Sequence, residues 1–346
     1  MVLPSTTRQY SYPKFGSYND LVLHKVPIAL PKANEVLVKT HAVSLQYRDH
    51  MIAKKLYPGP LQENLVPCSD MAGEVIAVGV DAEEWHVGDR VAANFFAHKL
   101  HDEYTQEIRE SAFGGALQGV LTEYRTFPAH ASRQIRLENG MLMDISVPAV
   151  NPLMNRCAAV TVYNAFLSGF ERIKAGDTIL VQGTGGVSIF ALQFAVVAGA
   201  TVIATSSDNE KLKVATRLGA KHVINYKTTP AWDKEVLRLT NGRGVDRVIE
   251  VAGNVTLGRE FGMAKLYRCY PYAYEPRYRF KDMNRMIEAN ADTTRPVIDR
   301  VFSFEEAKAA FAHMESQTHV GKVVIKLEIR LQEIWSPTDE YIVCVY

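Results

Sequence analysis

The sequence predicts an α/β protein of two domains, a small β-rich domain followed by a doubly wound parallel sheet. Three observations predict it. A chain of 346 residues is too long for one ordinary core. Its first half consists of short alternating apolar segments separated by turn residues. From about Val160 onward strands alternate with helices, and sequential βαβ units imply parallel strands joined by right-handed crossovers.

Each element has its own justification. Period-two alternation marks strands at 35–43, 72–79, 90–94 and 121–127, with turns at 79–81 and 87–90. In the second half, compact apolar runs predict strands at 178–182, 201–205, 222–225 and 246–251. Helices are expected between them at 187–199, 209–218 and 230–240. A last helix over 304–314 leads to a strand over 321–326. There are no internal repeats or low-complexity tracts.

Composition narrows the function classes. Hydrophobic content of 47% and charged content of 22% are those of a soluble globular protein. A net charge of +1 offers no electrostatic footprint for nucleic acid or an anionic membrane. No apolar run reaches transmembrane length, and residues 1–10 lack the apolar core of a signal peptide. The expected location is therefore the cytoplasm. Cys68, Cys157, Cys269 and Cys344 lie far apart and form no Cys-x-x-Cys pair, so they read as small hydrophobes.

The chemistry begins at Thr178-Ile-Leu-Val-Gln-Gly183-Thr-Gly185-Gly186-Val-Ser188, where an apolar strand enters a glycine turn that opens a helix. Gly183 and Gly185 permit a tight turn, and Gly186 permits close approach to the backbone. With Thr184 and Val187 they form a loop whose N–H groups, backed by the helix dipole, face a pyrophosphate. The following strand makes the unit β-turn-α-β, the context in which such a motif means dinucleotide binding. Ser206 and Ser207 at the tip of that strand, with Lys211 one helical turn on, favour the 2′-phosphate of NADP(H). Asp208 keeps NAD(H) as the less favoured alternative, and Lys211 also reads as a solvated surface lysine.

Many segments, in order, resemble the medium-chain dehydrogenase/reductase superfamily, in its zinc-type alcohol dehydrogenase-like and quinone oxidoreductase branches. They are 42–49 (Ala-Val-Ser-Leu-Gln-Tyr-Arg-Asp), 69–73, 87–91, 119–124, 183–188, 218–226, 242–253 and 319–325. The resemblance covers nearly the whole chain to Leu327. It implies a GroES-like catalytic domain over 1–150 and a Rossmann dinucleotide-binding domain over 151–292. It further implies a return to the catalytic domain over 293–327 and leaves an atypical tail over 328–346. The active site would lie in the cleft between the domains, where a small-molecule substrate binds.

The resemblance also bears on metal. Zinc-dependent relatives carry a cysteine where this chain has Gln46, and a His-Glu pair where it has Ser69 and Asp70; Cys157 lies near the third ligand position. One thiol cannot hold zinc. Residues 92–118 contain no cysteine for a structural zinc lobe, and His98 and His101 alone do not replace one. The expectation is an oxidoreductase without catalytic zinc, transferring hydride between NADP(H) and a small carbonyl, enone or quinone. Tyr47, with a phenol that can donate, Gln46 and Thr161 are the candidate catalytic residues. Tyr47 also reads as a packed aromatic, and Thr161 as a core or capping residue. Asp49 and Asp70 read as structural hydrogen-bond acceptors. Tyr226 is placed at the adenosine end of the cofactor, and Lys322 near its phosphates or nicotinamide.

Two stretches depart from the family pattern. Residues 254–279 lack the expected helix, Gly-Gly turn and edge strands, so the Rossmann sheet is expected to be incomplete there. The tail 328–346 runs past the usual last strand. Two function classes follow: an active reductase, or a catalytically impaired or non-catalytic nucleotide-binding relative. With the dimerising edge strand in doubt, the expected state is a monomer or weak homodimer.

Overall fold

The computed structural model describes residues 3–98, 105–134, 156–167, 172–251 and 277–327. In the first half the strands are β1 (Thr6–Ser11), β2 (Val22–Pro27), β3 (Glu35–Ser44), β4 (Asp70–Val78), β5 (Arg90–Ala93), β6 (Tyr124–Pro128) and β7 (Ser132–Gln134). Two short helices interrupt them, α1 (Tyr47–Ala53) and α2 (Gln106–Arg109). Then come α3 (Arg156–Leu167), β8 (Thr178–Gln182), α4 (Gly186–Val197), β9 (Thr201–Ser206), α5 (Asn209–Arg217), β10 (His222–Asn225), α6 (Trp232–Leu239) and β11 (Arg247–Ile249). The chain continues through α7 (Arg277–Ala289), α8 (Ala291–Thr294), β12 (Ile298–Ser303), α9 (Ala307–Glu315) and β13 (Lys322–Lys326).

The second sheet has the order β10-β9-β8-β11, all parallel. Alternation along β8 explains why it is doubly wound. Ile179 and Val181 point to one face, where they pack with Val162 of α3 and Phe190 and Phe194 of α4. Leu180 points to the other, joining Ile203, Ile224 and the α6 residues Trp232 and Val236. Every residue of β8 is buried because helices cover both faces, and that is why this strand reads as a continuous apolar run.

The larger sheet has the order β12-β13-β3-β4-β5-β7, with β6 also on β3. The late strands β12 and β13 thus return to the sheet of the first half, and Val324 lies opposite Ser44. This register sets Lys322, at the start of β13, beside the end of β3, from which α1 departs. The core below is aromatic: Tyr12 meets Phe311 of α9 edge-on, and Phe113 meets Phe127.

Several element limits differ from their sequence expectations: β6 starts at Tyr124, three residues after the expected 121, and two others have side-chain causes. Strand β11 begins at Arg247, because the Asp246 carboxylate is engaged by Thr178 N at 2.7 Å and by Arg243 before pairing starts. The last helix opens with a 3₁₀ turn over Phe304–Glu306, held by Glu306 accepting from Ser303, before α9 proper. The expectations for 254–276, for the tail 328–346 and for His101 lie outside the described residues. No helix among the described residues is long and apolar enough to cross a membrane.

Candidate active site

The glycine turn forms as its residues require. Gly183 has φ +76, a left-handed conformation that glycine adopts without strain, and its N–H donates to Thr205 O at 2.9 Å. Ser188 Oγ donates to Gln182 O at 2.7 Å and ties the start of α4 to the end of β8. Gly185 is the N-cap of α4, so the N–H groups of Gly186, Val187 and Ser188 are the unpaired first donors of the helix. Thr184 is buried beneath them.

At the tip of β9, Ser206 is buried and its carbonyl accepts from Tyr226 N at 3.0 Å. Ser207 follows it. Asp208 caps α5, accepting from the backbone N–H of Glu210 and Lys211. That engagement makes Asp208 a helix cap. Lys211 Nζ donates to Gln317 O at 2.6 Å, so the lysine reaches across to the segment before β13. Tyr226 is 43% exposed at the tip of the neighbouring strand.

The same segment closes on the glycine turn. Gly321 N donates to Thr184 O at 2.9 Å, and Gly185 bridges Gly321. Lys322 then crosses the gap between the two sheets. A Cβ on Gly186 would stand 2.6 Å from Lys322 Cδ, so the glycine leaves room for the lysine stem. The ammonium donates to Leu45 O at 2.7 Å, and the side chain is 2% exposed. Burial pulls this ammonium below the usual lysine range, while Asp70, Cys157 and Asp49 act to raise it. Lys322 therefore joins the glycine turn to the segment carrying Gln46.

Gln46 stands at the N-terminus of α1. Its Nε2 donates to the buried Asp70 Oδ2 at 2.8 Å, and its backbone N–H donates to Asp49 Oδ2 at 2.7 Å. Both carboxylates act as acceptors inside the domain. Burial pushes the Asp49 carboxyl up to about 6. Burial also pushes the Cys157 thiol up to about 12 and that of Cys68 well above its usual value. These two cysteines, remote in sequence, share the neighbours Asp49, Asp70, Arg48 and Lys322. Thr161 is buried on α3 and donates its hydroxyl hydrogen to Cys157 O at 2.7 Å. Toward a ligand it offers oxygen lone pairs. Tyr47 is 55% exposed, with its ring 5.6 Å from that of His50.

The fold thus brings Gln46, Lys322 and the glycine turn into one continuous path. Sequence reasoning missed the Gln317 carbonyl and the Gly321 contact. The only signal for them was the Gly321-Lys322 pair inside the segment 319–325.

A zinc-type alcohol dehydrogenase-like protein of Schizosaccharomyces pombe is 40% identical over 336 residues, covering 88% of this chain and 94% of that relative. The chain belongs to the medium-chain dehydrogenase/reductase superfamily. An alcohol dehydrogenase GroES-like domain model matches this dehydrogenase/reductase at 32–137, and zinc-binding dehydrogenase models match it at 186–265 and 259–325. Human quinone oxidoreductase is 26% identical over 254 residues, 72% of this chain and 68% of that enzyme. The crystal structure of a putative alcohol dehydrogenase from Sinorhizobium meliloti 1021 superposes with a TM-score of 0.81 at 29% identity, covering 94% of this chain and all of that one. The protein is an oxidoreductase of this superfamily, with the GroES-like and Rossmann architecture.

Proposed function

We propose that the protein is an NADPH-dependent reductase of a small enone, quinone or carbonyl compound that works without a catalytic metal. The observation that carries the reading is the Gln46–Asp70 hydrogen bond, reached from the glycine turn through Lys322. At the position of a metal-binding thiolate this chain has a neutral amide whose Nε2 donates to Asp70, in place of an anionic sulfur. Ser69 replaces an imidazole, and its buried Oγ has no hydrogen-bond partner among the described residues. Among the described residues no group of three or more His, Cys, Asp or Glu side chains is arranged to hold a metal. The donor set does not fit zinc.

The chain's residues fit a nicotinamide dinucleotide. When bound, such a cofactor supplies the hydride. The first N–H groups of α4 hold the pyrophosphate, and Ser206, Ser207 and Lys211 hold the 2′-phosphate, with Lys211 exchanging Gln317 O for it. Tyr226 flanks the adenosine. Lys322 fixes Leu45 and so the start of α1, which sets Gln46 and Tyr47 against the substrate. Tyr47 donates to the substrate oxygen as negative charge develops there. Gln46 and the Thr161 oxygen orient the carboxamide and substrate.

The test is NADPH oxidation by purified protein with a panel of quinones, enones and aldehydes, together with elemental analysis. Substrate-dependent oxidation that survives chelation is expected. No oxidation with any compound would favour the non-catalytic reading. About one zinc per chain, with activity lost on chelation and restored by zinc, would overturn the metal-free one.

A further inference from the structure

Arg48 lies in the first turn of α1, between Tyr47 and Asp49. Its guanidinium carbon lies 4.7 Å from the centroid of the Tyr57 ring and 4.8 Å from that of Phe95. Nη1 donates to Phe113 O at 3.0 Å. The opposite edge, Nε and Nη2, is buried and has no hydrogen-bond partner among the described residues. Among the described residues Arg48 makes no ion pair, although Asp49 is its chain neighbour; the Asp49 Oδ2 atom is engaged by Gln46 N.

The free edge has a definite chemistry. Nε–H and Nη2–H point the same way and are spaced for the two oxygens of a carboxylate. Leaving such donors buried without an acceptor costs roughly 1–3 kcal/mol, more for a charged group. The chain nevertheless builds the arrangement. Gly115 has no side chain where a Cβ would collide with Nη2. Gln62 Nε2 donates to Ala116 O at 2.6 Å and Gln62 N to Gly115 O at 3.0 Å, tying the two loops that flank the guanidinium. The cover over the fork is thin, because Tyr57 and Phe95 are half-buried and residues 58–60 are exposed. Arg48 stands two residues after Gln46 at the start of α1, the end of the helix that Lys322 ties to the glycine turn through Leu45 O.

We propose that Arg48 is a substrate-binding residue and that the substrate carries a carboxylate, gripped by the Nε and Nη2 edge. This deepens the reductase reading and rests on it. The two oxygens of a carboxylate match that edge, each accepting one N–H. A buried water would supply acceptors without charge and is the competing occupant.

The test uses benzoylacrylate and its methyl ester, which differ only in that charge. Each is reduced at its carbon–carbon double bond by one hydride from NADPH and one proton, giving the saturated ketone and NADP⁺. The expected wild-type preference in kcat/KM is about tenfold to a hundredfold for the acid, expressed mainly in KM. Arg48→Lys keeps the charge but not the fork, and Arg48→Met removes both. Each should bring the acid-to-ester ratio close to one. A wild-type ratio near one, or variants that slow acid and ester equally, would overturn the proposal and identify the guanidinium as structural. Turnover of neutral quinones alongside such a result would leave the reductase reading intact. Should no compound be reduced, thermal shift with benzoylacrylate against its ester still decides. Stabilisation by the acid alone, lost in Arg48→Lys, supports the carboxylate site, and equal shifts refute it.

Discussion

Asp49 shows how a single buried group sets a pH dependence. It is 1% exposed, and burial pushes its carboxyl from the usual carboxylate range to about 6. A folded state that holds its proton more tightly than the unfolded chain is stabilised while that proton is bound. The contribution is therefore complete below about pH 4 and is lost as pH rises toward 6. Asparagine keeps an acceptor for Gln46 N and removes the titration. Urea midpoints of wild type and Asp49→Asn should diverge across this window, with wild type losing on the order of 2–3 kcal/mol relative to the variant as pH rises. Parallel curves would place the titration elsewhere. Lys211 makes a second prediction at this scale. Its alanine variant should weaken NADPH by about tenfold and leave NADH nearly unchanged, by calorimetric titration. Equal losses for both cofactors would remove Lys211 from the 2′-phosphate site.

What could be read at the residue scale divides along one physical line. The left-handed Gly183 was legible because a strand-to-helix turn demands it locally. The bond from Ser188 to Gln182 O that closes the same turn came only with the structure. The bonds from Lys211 to Gln317 and from Lys322 to Leu45 join residues 106 and 277 positions apart, and no local pattern encodes them. Arg48 sat inside a recognised segment, but its empty edge is a property of three loops meeting around it.

At the scale of elements, the segment before β13 is the part that binds the two sheets together. Gly321 has φ +77, and a Cβ there would meet the Val297 carbonyl. Gly321→Ala should therefore cost about 1–2 kcal/mol through backbone strain. Because Gly321 N also holds Thr184 O, the variant should bind NADPH more weakly, whereas a change that merely loosens the protein would lower its melting temperature alone. Parallel measurement of both quantities separates the two. The strands of the second half were legible as elements because helices cover both their faces, which leaves compact apolar runs. The limits of β11 and the 3₁₀ start of the last helix were not. Side-chain acceptors, Asp246 and Glu306, decide them against the apolar pattern.

At the scale of the molecule, the open question is how the parallel sheet ends. Among the described residues it ends in β10 on one side and in β11, three residues long, on the other. Partnering two such sheets edge to edge requires a run of consecutive backbone N–H donors and an apolar stretch to cover it. The sequence following β11 places Pro271 and Pro276 among tyrosines, and proline has no N–H to give. Against that, a net charge of +1 supplies little repulsion to keep copies apart. Ladder bonds and buried area, more than charge, therefore set the association, and we expect a monomer or a weak dimer. Light scattering over a dilution series should show the monomer mass at low micromolar concentration. A dimer that persists on dilution, with strong hydrogen-exchange protection across 260–275, would show that this stretch forms the edge strand its prolines argue against.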